Sequence, residues 1–69
     1  MELFKISTLT GEPHTMELPL TEQEYGNLYH SWKESRALVQ DAFPMLNASQ
    51  REFIMTGITP EEWDAFHDE

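Results

Sequence analysis

Apolar and polar positions alternate roughly along Leu3-Phe4-Lys5-Ile6-Ser7 and cleanly along Met16-Glu17-Leu18-Pro19-Leu20, where Met16, Leu18 and Leu20 share one side. Between these runs, Thr10-Gly11-Glu12-Pro13 is turn chemistry, so the pattern predicts a β-hairpin or a two-stranded ribbon with a longer loop. Pro19 has no amide to donate, which makes the second strand an edge, or finished, by that residue.

Beyond Leu20 the period becomes helical. Thr21 is a good N-cap and Glu24 stands three residues on, as a capping box requires, with Leu20 and Tyr25 placed as a hydrophobic staple. Tyr25, Leu28, Tyr29 and Trp32 then follow the i, i+3, i+4, i+7 stripe of a helix with one buried face. Gly26 weakens that helix by up to about 1 kcal/mol relative to alanine. A second helical stretch is predicted from about Glu34 to Phe43, where Pro44 pushes the preceding residue out of the α region. The same pattern fits a break within Ser31 to Ser35 or a single bent helix from Glu22 to Phe43.

Asn47 and Gln50 form the next N-cap and N3 pair, followed by Phe53, Ile54 and Gly57. Gly57 suits the left-handed position at a helix end, with Ile58 folding back in a Schellman contact. Thr59 then caps a last short helix, with Pro60 at N1, Glu62 at N3, and Ile58 and Trp63 as its staple, reaching about His67. The expected fold is α+β: a short N-terminal β-hairpin followed by three to four short helices packed on one small core, as a single domain over residues 1–69. Tyr25, Tyr29, Phe53 and above all Trp63 are expected in that core. Trp32 and Phe66, near helix ends, are the candidate exposed anchors.

The run Val39-Gln40-Asp41-Ala42-Phe43-Pro44, then Leu46, Arg51-Glu52-Phe53 and Thr56-Gly57-Ile58-Thr59-Pro60-Glu61-Glu62-Trp63-Asp64, resembles a group of small bacteriophage and prophage proteins of uncharacterised function. Those proteins also place a short β segment before the helices. The resemblance covers the second half of the chain well and the first half loosely. It implies a phage-encoded origin and carries over no functional residue.

Size and charge narrow the function. A chain of 69 residues buries only about 60% of its unfolded surface, and with no cysteine it has neither disulfides nor thiolate metal ligands. Four basic against 13 acidic residues give a net charge of −9, a field that repels phosphate backbones and anionic lipid and favours a basic protein partner. No run approaches a membrane helix, and the start shows no basic region leading into a long apolar one, so a cytoplasmic location in a host cell is expected.

Candidate chemistry is sparse. His14, His30 and His67 lie on separate segments, Ser31 beside His30 points away from it on a helix, and no nucleophile–base pair or Gly-rich phosphate loop is present. No enzyme is expected. Asp64, His67 and Asp68 fall at i, i+3, i+4, but zinc would need further ligands from elsewhere, so neither a metal site nor a cofactor is predicted. Arg51 is expected to find a capping or acidic partner.

Binding is what is left. The leading expectation is a small acidic phage accessory protein that inhibits or modulates a basic host or defence protein, through Glu61, Asp64 and Asp68 on the last helix and through Trp32. Anti-CRISPR or other anti-defence action is one form, and DNA mimicry another, although acids clustered at the C-terminal end fit a patch better than a double row. The alternative is a minor structural, scaffolding or homo-oligomeric assembly protein that closes its edge strand in a multimer.

Overall fold

The computed structural model describes residues 1–67. Strand β1 (Glu2–Ile6) pairs antiparallel with β2 (Pro13–Glu17), setting Glu2 opposite Glu17, Leu3 opposite Met16 and Ile6 opposite Pro13. Helices α1 (Glu22–Ser35), α2 (Val39–Ala42), α3 (Ala48–Thr56) and α4 (Pro60–His67) follow. This is the predicted α+β order, a hairpin and then short helices.

The second strand starts earlier than the alternation suggests, at Pro13, where a missing amide is tolerated because a strand is only beginning. Ser7 organises the loop over residues 7–12 from inside. Only 2% exposed, its hydroxyl accepts the amides of Leu9 at 3.1 Å and Thr10 at 3.3 Å. Its own amide donates to the Glu12 carbonyl at 2.9 Å. A short polar side chain thus takes the place of ladder bonds that the turn cannot supply.

In α1 the capping box forms: the Thr21 hydroxyl accepts the Glu24 amide at 3.1 Å, and the Glu24 carboxylate accepts the Thr21 amide at 2.9 Å. The helix runs unbroken through Ser31–Ser35 and stops at Arg36, which takes the left-handed conformation at φ 58°. The single bent helix is therefore excluded, and the predicted second helix shrinks to the one turn of α2. Phe43 closes that turn, its amide reaching the Val39 carbonyl at 2.9 Å, before Pro44.

Leu18, Phe43, Leu46 and Ile54 form the buried cluster, and the α1 stripe of Tyr25, Leu28, Tyr29 and Trp32 packs against it with Leu3 and Met16 of the hairpin. Phe43 is fully buried, with the rings of Tyr25 and Trp32 each 6.1 Å away. Helix α3 is the central element: it contacts both β1 and α2, and its successive residues Phe53 and Ile54 are both buried.

At its end Gly57 adopts φ 75°, and a Cβ there would stand 2.7 Å from the Ile6 carbonyl oxygen. The Ile58 amide goes to the Thr56 hydroxyl at 3.2 Å. The helix therefore ends in a left-handed cap, with the Gly57 amide on the Phe53 carbonyl at 2.8 Å, and lacks the further backbone bond of a Schellman motif. Ile58 itself is buried. Trp63, expected in the core, is only half-buried, its ring edge-on to Phe66 at 6.3 Å. The reason is that the main cluster is filled by residues preceding α4.

Candidate functional site

Helix α4 starts on a reciprocal cap: the Glu62 amide donates to the Thr59 hydroxyl at 3.2 Å and the Thr59 amide to Glu62 Oε1 at 3.4 Å. The other carboxylate oxygen, Oε2, turns to the hairpin loop. It accepts the hydroxyl of Thr10, 52 positions away in sequence, and lies 2.9 Å from His14 Nε2. The Glu62 side chain is 10% exposed in this seam. The Thr10 hydroxyl is the chief reason its carboxyl is held down at about 2; burial opposes this, while His14, Ser7 and the Thr59 amide add to it.

The His14–Glu62 contact is close without the alignment of a hydrogen bond. His14 Nε2 is shielded from solvent and has no hydrogen-bond partner. The Glu12 carboxylate completes the cluster, so that one ligand atom from each of Glu12, His14 and Glu62 lies within 4.8 Å of the others. The three line an open groove of about 580 Å³, together with Leu9 of the hairpin loop and Glu61, Ala65 and Phe66 of α4.

Of the residues singled out from sequence, Glu61 and Asp64 are exposed on α4, and Asp68 lies outside the described residues. Trp32 is half-buried, edge-on to Phe43, and Lys33 Nζ sits 4.2 Å from the centre of its ring. One face is thereby occupied by a cation from its own helix. Phe66 is 57% exposed, in keeping with its position near a helix end. Arg51 spends its guanidinium on the Leu46 carbonyl, through Nε at 3.0 Å and Nη2 at 2.8 Å, and so pins the loop before α3.

Two features are not among those the sequence predicts. The outer hairpin face presents Phe4, 61% exposed, and Ile6, 58% exposed, side by side because strand neighbours two apart share a face. Alternation with the inward Leu3 was the available signal. For the seam, Glu12 and His14 stand two apart, but nothing local points to Glu62. Compared with protein-family models, curated proteins and solved structures, the chain finds no match in any of the three.

Proposed function

We propose that the protein acts by binding another protein, with no chemistry of its own, and that the outer face of the hairpin is the contact surface. The observation that carries this reading is the exposure of Phe4 and Ile6 together on one strand face, with Glu2 and Glu17 paired at its end. An apolar centre with a charged border is the anatomy of a protein interface. A net charge of −9 selects the partner: cationic, drawn in by the field that repels nucleic acid and anionic membranes.

The phage resemblance supports a host or defence protein as the partner, inhibited or modulated by occupation of its basic surface. Glu61 and Asp64, exposed on α4, add to the attracting field.

The test is affinity capture from bacterial lysate, followed by titration of the captured protein with the Phe4→Ser, Ile6→Ser double variant. Both side chains are exposed, so the circular dichroism spectrum should be unchanged while binding is lost. Native affinity in the double variant would overturn the reading. The assembly-component alternative draws on a sheet of only two strands, since an edge strand can pair with another chain. Sedimentation over a concentration series separates the two, since only an assembly protein grows into multimers.

A further inference from the structure

We propose that Glu12, His14 and Glu62 form a binding site for a divalent transition-metal ion of the zinc type, at the seam between the hairpin loop and α4. One imidazole with two carboxylates is a donor set suited to Zn2+ and its first-row neighbours, and less so to Mg2+ or Ca2+, which prefer all-oxygen surroundings. Tetrahedral bonds of about 2.0–2.2 Å place ligand atoms roughly 3.3–3.6 Å apart. His14 Nε2 and Glu62 Oε2 already stand 2.9 Å apart, and all three ligand atoms lie within 4.8 Å of one another. Only the exposed Glu12 side chain needs to swing inward.

The unpartnered nitrogen is the independent observation. His14 Nε2, shielded from solvent, stands 2.9 Å from Glu62 Oε2 without an aligned hydrogen bond, so a buried polar atom aimed into the cluster has no hydrogen-bond partner. A cation coordinated by both atoms would supply that partner. Glu62 is also held as metal carboxylates are held: the Thr59 amide on Oε1 and the Thr10 hydroxyl on Oε2 fix its orientation. Three protein ligands leave a fourth position open to the groove. Charge points the same way, since 13 acidic residues raise the local concentration of cations.

The test is calorimetric titration of the full chain with ZnCl2 in metal-free buffer, with MgCl2 as the hard-ion comparison and no partner protein present. It is therefore independent of the hairpin-face reading. One Zn2+ per chain is expected, with affinity reduced tenfold or more in His14→Ala and in Glu62→Gln, whose amide oxygen keeps the Thr59 cap. Zn2+ should raise the thermal midpoint of the native chain and leave that of His14→Ala unmoved. His30→Ala and His67→Ala are the controls, because His30 Nε2 lies 3.2 Å from Glu34 Oε1 on α1 and offers a competing exposed pair. Absence of saturable Zn2+ binding overturns the site. So does binding that survives the His14 and Glu62 changes, or that is lost with His30 or His67.

Discussion

Gly26 and Gly57 respond oppositely to the same added methyl group. Gly26 stands inside α1 with nothing within 4 Å of the position a Cβ would take. Gly26→Ala should therefore stabilise by about 0.5–1 kcal/mol, through helix propensity alone, read as a higher urea midpoint. Gly57→Ala meets both a left-handed backbone at φ 75° and the Ile6 carbonyl oxygen at 2.7 Å. It should destabilise by about 2 kcal/mol or more, the conformational penalty and the displacement of β1 adding together. Tyr25 contributes a pH dependence on the alkaline side: burial first, and the neighbouring Tyr29 second, raise its pKa above the ordinary 10.0. Folding thus favours the neutral phenol, so this contribution is full below pH 10 and is lost as pH rises through the folded-state value. Tyr25→Phe keeps the ring against Phe43, and its stability should fall less steeply in urea titrations above pH 10. An identical slope in the two proteins would show that Tyr25 does not carry this effect.

Helices start and stop in this chain through short-range chemistry, and for that reason most of their boundaries were legible. Thr21 with Glu24, Asn47 with Gln50, and Thr59 with Glu62 each close a reciprocal cap within three residues. The exception is instructive: Arg36 breaks α1 in a conformation usually left to glycine or asparagine, so no residue type announced it. The seam was illegible for the complementary reason. The local cap of Glu62 uses one carboxylate oxygen, and the partners of the second arrive through tertiary folding. Ile58, buried between the end of α3 and the start of α4, is where the local signals are converted into packing. Ile58→Ala should cost about 2–4 kcal/mol in chemical denaturation. A loss of only a few tenths would mean that α4 is held by the polar seam instead.

At the scale of the molecule, extents of 37 × 21 × 19 Å describe an elongated body with exposed acids on the hairpin, on α1 and on α4. Long-range attraction and close contact can therefore reside in different residues. No helix among the described residues is long and apolar enough to cross a membrane, and Phe4 and Ile6 stand exposed on one face of the hairpin. Charges outside a contact act mainly on encounter, whereas apolar side chains inside it act on residence time. Glu61→Gln with Asp64→Asn should leave the fold intact, since both side chains are exposed and neither supplies a cap. Against a captured basic partner, this pair should slow association at low ionic strength and flatten its salt dependence, with dissociation nearly unchanged. Phe4→Ser with Ile6→Ser should do the reverse, speeding dissociation at every salt concentration. Stopped-flow measurement of both rates at low and high salt distinguishes the two effects. If the α4 variant associates as fast as the native chain at low salt, the α4 acids serve solubility alone, and steering comes from exposed acids elsewhere on the chain.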